Sequence, residues 1–135
     1  MRNLKINYLA VLAAIPVHMI IPAIWYGIFQ EPWLTQNKLT LADAEGGSPM
    51  IYLIAILTGA VTVYGMAFLF KQLNIDSVVK GLQTAALFWF VFLFAQVLTQ
   101  DVFAFRPLLA FIDQGNTFLT FLATGAILGG WRKYE

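Results

Sequence analysis

The chain has 135 residues, 60% of them hydrophobic and 11% charged, with a formal net charge of +1. Globular proteins carry roughly a quarter charged residues, and a small water-soluble domain cannot hide this much apolar surface. The fitting class is a single domain in a lipid bilayer, and no basic run suits a nucleic acid. Cysteine is absent, which excludes disulfide frameworks, thiolate nucleophiles and sulfur-ligated metals.

The charges cluster and leave four stretches close to the ~20 apolar residues that a bilayer crossing needs. The first runs from Ile6 to Ile28. Its approach, Met1-Arg2-Asn3-Leu4-Lys5, resembles a signal peptide, but the uncharged run continues to Gln30. That is too long for an h-region of roughly 7–15 residues, so an uncleaved signal-anchor is expected. Asn7, Ala14, His18, Pro22 and Trp25 share one face of this span. Pro16 and Pro22 leave the carbonyls of Leu12 and His18 without helical donors, which predicts a bend. Beyond it, Trp25, Tyr26 and Trp33 are placed as an interfacial aromatic belt.

The longest loop, Glu31 to Ser48, contains Thr40-Leu-Ala-Asp43. An N-cap with an acid three residues on predicts one short helix there. Span two covers Met50 to Phe70 and puts Thr58, Thr62 and Gly65 on one face. A connector from Lys71 to Lys80 leads into span three, Gly81 to Leu98, crowded with Phe88, Trp89, Phe90, Phe92 and Phe94. These rings read as lipid-facing or core filler, or as one wall of a groove for a lipid tail or quinone-like ligand. Pro107 suits the first turn of span four, Pro107 to Gly130.

Span four organises the rest. At about 100° per residue, Asp113, Asn116, Thr117, Thr120 and Thr124 fall on one side, with Gly125 and Gly129 opposite. A lipid-facing helix would not tolerate that polar stripe, so an all-α, up-down four-helix bundle is expected to cover it. Arg2, Lys5, Lys71, Lys80, Arg132 and Lys133 gather on one side of such a bundle, and only Lys38 and Arg106 on the other. By the positive-inside rule both termini are cytoplasmic.

An ionisable group inside a span is by default a candidate functional site. Asp113 lies ~9 Å in from the outer end of span four, at about 1.5 Å per residue. His18 lies ~18 Å from the inner start of span one, hence ~12 Å from the outer edge of a ~30 Å core. Similar depths predict a His18–Asp113 contact, with Gln96, Asn116 and Thr117 completing a polar cluster for a proton or small solute. The alternative is a hydrogen-bonded clamp that fixes helix register, with Arg106 as the ion-pair partner of Asp113. Gly125-x-x-x-Gly129 lets backbones approach closely, either between two copies of the chain or within one.

Catalysis is not expected. The single histidine and one intramembrane carboxylate are too few for zinc. The only serines, Ser48 and Ser77, fall in loops on opposite sides of the membrane, so no triad can be drawn. No cofactor or metal is implied. The lipid bilayer is the expected partner, together with either further copies of the chain or a larger membrane complex in which it is a non-catalytic accessory subunit.

Two stretches carry a resemblance. Trp25-Tyr-Gly-Ile-Phe-Gln-Glu-Pro-Trp33 follows the first span. Arg106-Pro107, Phe111-Ile-Asp-Gln-Gly115 and Gly125-Ala-Ile-Leu-Gly-Gly-Trp131 mark the last. Together they resemble the bacterial family called domain of unknown function 1761. The resemblance implies four helices and an inner-membrane location, and it implies no reaction. Pro22 departs from the pattern, standing where a small residue such as glycine is expected.

Overall fold

A computed structural model describes residues 3–134; Met1 and Arg2, with their share of the signal-anchor and inside-charge expectations, lie outside them. The described chain is almost entirely helical. Strand β1 (Leu4–Lys5) leads into α1 (Tyr8–Ala14) and α2 (Val17–Ile28), followed by α3 (Gln30–Asn37) and α4 (Leu41–Glu45). Helix α5 (Met50–Gln72) is followed by α6 (Val78–Phe88), a π-helical segment (Trp89–Phe94) and α7 (Ala95–Phe103). Helix α8 (Pro107–Gly130) and strand β2 (Lys133–Tyr134) complete the chain.

Three helical stretches are long and apolar enough to cross a membrane: Tyr8–Ile28, Met50–Gln72 and Val78–Phe103. Helix α8 is not among them, although its 24 residues are long enough. The stripe from Asp113 to Thr124 dilutes its apolar character, and the same stripe explains its position. Helix α8 is the hub, packed against α1, α2, α3, α5, α6, the π segment and α7. Helix α5 lies against α1, α2 and α8, while α6, the π segment and α7 form one rod against α8.

Local chemistry sets the helix boundaries. Asn7 caps α1, its Oδ1 accepting from the backbone N–H groups of Leu9 and Ala10, while its Nδ2 donates to the Trp131 carbonyl at 3.1 Å. One buried side chain thus joins the start of α1 to the end of α8. Leu4–Lys5 pairs antiparallel with Lys133–Tyr134, so the two ends of the described chain meet at one pole. The first span breaks at Ile15–Pro16, but Pro22 is carried inside α2. In the long loop, Thr40 and Asp43 form the expected reciprocal cap on α4, whereas α3 was not expected.

The core lies near the pole where the chain ends meet. Ala10, Val11, Ala14, Val63, Met66, Phe70, Ala85 and Leu128 are buried together there. Gly125 and Gly129 are buried against α6, where a Cβ on Gly125 would come 2.7 Å from the Ala85 Cβ and one on Gly129 would come 3.0 Å from the Gly81 Cα. The glycine face is therefore filled from within the chain and leaves no room for a second copy. The matching glycine, Gly81, sits at the first turns of α6 and shortens the helix–helix distance.

Candidate polar site along helix α8

The polar stripe of α8 faces two cavities. The first, of about 270 Å³, lies between α2, α5, the π segment and α8, and is bordered by His18, Thr58, Thr62, Asn116, Thr117 and Thr120. The second, of about 480 Å³, lies under α3 and α4, with Tyr26, Trp33 and Asp113 around it.

Hydroxyl directions give the first cavity its chemistry. Thr117, Thr120 and Thr124 donate to the carbonyls of Asp113, Asn116 and Thr120, each four residues back on α8. Thr58 and Thr62 do the same on α5, to Ile54 and Thr58. A hydroxyl has one hydrogen and two lone pairs. With the hydrogens turned onto the helices, the cavity-lining threonines present only acceptors. The side-chain oxygen of Asn116 is buried without a hydrogen-bond partner. Pro22, which cannot donate to the His18 carbonyl, also borders this cavity.

His18 extends the pattern. Its Nε2 lies 3.1 Å from Thr124 Oγ1, whose only hydrogen goes to the Thr120 carbonyl at 2.8 Å. His18 must therefore be the donor, which fixes the Nε2–H tautomer and leaves Nδ1 as an acceptor. Nδ1 has no hydrogen-bond partner among the described residues. Gly59 makes room for the ring, since a Cβ there would come 3.0 Å from the His18 Cβ.

Asp113 has different neighbours from those expected. Tyr26 Oη donates to Asp113 Oδ1 at 2.6 Å, with Trp33 as a further polar neighbour of the carboxylate. The Asn116 side chain contacts the same Tyr26 hydroxyl, so Tyr26 links the two cavities. The His18–Asp113 contact is not formed. Asp113 and the His18 partner Thr124 are eleven residues apart on α8, or ~16 Å at about 1.5 Å per residue. Depth counted from each helix end misplaced them. The real register is fixed by Asn7 with Trp131, His18 with Thr124, and Tyr26 with Asp113.

Two further expectations are corrected. Arg106 does not pair with Asp113. Its Nε contacts Asp101 Oδ1 at 3.1 Å, across a corner in which Phe105 takes a left-handed φ of 59°. Asp101 is buried, and six residues of α8 separate Arg106 from Asp113, so the near acid wins. Gln96 is exposed on α7 and borders neither cavity. The π segment, Trp89–Phe94, lies between α6 and α7 and changes which face α7 turns to α8. Each residue inserted into an α-helix turns everything downstream by about 100°.

The aromatic residues Trp25, Tyr26 and Trp33 are half-buried and make specific contacts along α8. Trp25 packs on Gly115, where a Cβ would come 2.6 Å from the ring, and its indole N–H donates to the Ile112 carbonyl at 2.8 Å. Trp89 reaches α8 from the opposite side, donating to the Gln114 carbonyl at 2.9 Å. Tyr26 and Trp33 meet edge to face at 6.0 Å beside Asp113. The sequence reading missed both indole-to-backbone bonds; Gly115, one small residue among bulky neighbours, was the available signal. Among the described residues no group of three His, Cys, Asp or Glu could hold a metal ion.

No curated protein and no solved structure matches the chain. The family model for a protein of unknown function, DUF1761, matches residues 9–129, which include the whole polar stripe of α8 and every partner of it named above. The chain belongs to the DUF1761 family.

Proposed function

We propose that this is an inner-membrane protein in which α8 is a fourth crossing, shielded by the other three, and that its polar seam carries a proton or small cationic solute. The observation behind this reading is the surplus of acceptors along the seam: the threonine hydroxyls that have turned their hydrogens onto the helices, the Asn116 side-chain oxygen, and the Asp113 carboxylate. A surplus of acceptors favours ligands that bring their own hydrogens or positive charge. A structural clamp would instead pair donors with acceptors until both were satisfied. The meeting of β1 and β2 supports both termini on one side, and Lys5, Lys71, Lys80, Arg132 and Lys133 near that pole support the cytoplasmic side. The reading is non-enzymatic.

Flux into liposomes, compared among the native chain, Asp113→Asn and His18→Ala, tests the proposal. A drop of tenfold or more in both variants is expected, and equal flux in all three refutes it.

One observation favours a second reading, an accessory subunit. The first half of α5 is exposed nearly all round, with Met50, Ile51, Tyr52, Leu53, Ile54, Ile56 and Leu57 open. A helix held by so few neighbours is suited to another membrane chain. Gentle solubilisation and native sizing decide this: a stoichiometric heterologous partner supports the accessory role, and a lone chain or homo-oligomer counts against it.

A further inference from the structure

The second cavity is bordered by a carboxyl group that forms no ion pair among the described residues. Asp113 is the only carboxylate bordering it among the described residues, and the nearest basic side chain in sequence, Arg106, forms its ion pair with Asp101 and reaches Asp113 only at longer range. Among the described residues no cation lies within ion-pair distance of Asp113. An intramembrane acid normally has such a partner. Here its place is taken by a cavity of about 480 Å³, well within the size range of small-molecule sites.

The walls narrow the ligand class. Tyr26 and Trp33 stand edge to face beside the carboxylate, and Leu34 and Ala44 add aliphatic surface. An aromatic corner next to one carboxylate suits a cation with an organic shell, which gains from the rings as well as the charge. A metal ion needs several oxygen ligands, and the side chains bordering the cavity offer one carboxylate, the Gln30 amide and the Tyr26 hydroxyl. An anion would meet Asp113 head-on. A bare proton has no use for the volume.

We infer that the cavity formed by Tyr26, Trp33 and Asp113 beneath α3 and α4 is a binding site for an organic ammonium group. The inference deepens the transport reading by naming the substrate class at the outer end of the seam, and it rests on that reading for its role but not for its test. Ammonium groups belong both to free amine solutes and to ethanolamine lipid headgroups. The shared chemistry is what the site recognises.

The test is equilibrium binding to the full chain in lipid-free detergent, followed by tryptophan fluorescence and by calorimetry. The probes are choline and its uncharged carbon isostere, 3,3-dimethyl-1-butanol. Choline should bind saturably and the isostere at least tenfold more weakly. Asp113→Asn should weaken choline by tenfold or more, and Trp33→Leu, on a loop helix outside the core, by about 2- to 30-fold. Unchanged helicity and elution volume must accompany each loss. No saturable choline binding, equal binding of the isostere, or full affinity in Asp113→Asn with native-like Trp33→Leu each overturns the inference. Repeating the titration in nanodiscs with and without phosphatidylethanolamine separates the sources: competition assigns the site to the headgroup, its absence to a free amine. Flux that depends on Asp113 without choline binding would sink this inference and leave the transport reading standing; binding without flux would do the reverse.

Discussion

The two halves of α8 are built on opposite principles. Its C-terminal half, from Thr124 to Gly129, is closed: Gly125 and Gly129 press against Gly81 and Ala85, and the buried core with Phe70 and Leu128 lies beside them. Its N-terminal half, from Asp113 to Thr120, faces two cavities and presents lone pairs to them. Close backbone contact demands small side chains and tolerates no solvent. A cavity wall leaves acceptors unpaired and tolerates poor packing. Dividing one helix between the two jobs lets the closed half hold the fold while the open half remains unfilled.

The sharpest way to break this contrast is to enlarge the closed half. Gly125→Leu would drive a side chain into the Gly81 carbonyl and Ala85, and no correctly folded protein should be recovered by size-exclusion in detergent. Gly125→Ala should cost about 1–3 kcal/mol in unfolding by titrated SDS. The same enlargement at Gly65, where a Cβ meets nothing within 4 Å, should leave the fold unchanged and serves as the control.

Smaller effects sharpen the picture at its edges. Trp25→Phe keeps most of the ring but loses the bond to the Ile112 carbonyl, a loss of about 0.5–1.5 kcal/mol by the same titration. Asn7→Ala removes the α1 cap and the tie to Trp131, and should cost about 1 kcal/mol. The mildest effect concerns α4. The Thr40 backbone N–H, and after it the Thr40 hydroxyl, hold the Asp43 carboxyl below its ordinary 3.8. A carboxyl lowered by folding contributes above its unfolded pKa, and that contribution is lost as pH falls through the folded value. The α4 cap should therefore persist to a pH below 3.8 and then fade, which carboxyl NMR shifts of Asp43 would show. A midpoint at or above 3.8 would contradict the cap.

Much of this was legible in the sequence, and the failures have physical causes. Three long apolar runs declared themselves, as did the stripe and glycines of α8, because helical periodicity sets which residues share a face. Pairing across helices was harder. The contact between His18 and Asp113 failed because helix ends are poor rulers: the first span starts at Tyr8, breaks at Pro16 and runs almost directly into α3. Gln96 was assigned by depth alone, which says nothing about the face it occupies, and it follows a π segment that composition does not announce. Thr124 looked like one more threonine in a row, yet its bond to His18 sets the register. Arg106 was assigned to the deeper acid although a nearer one, Asp101, lay across the turn.

The indoles of Trp25 and Trp89 grip α8 by its main chain, at Ile112 and Gln114. A grip on peptide oxygens is blind to the side chains attached to them. Positions 112 and 114 can therefore drift among residues of similar bulk without loosening the hold, while each tryptophan has no substitute that reaches as far with a hydrogen to give. Variation beside the two cavities is thereby uncoupled from the mechanical integrity of the helix that borders them.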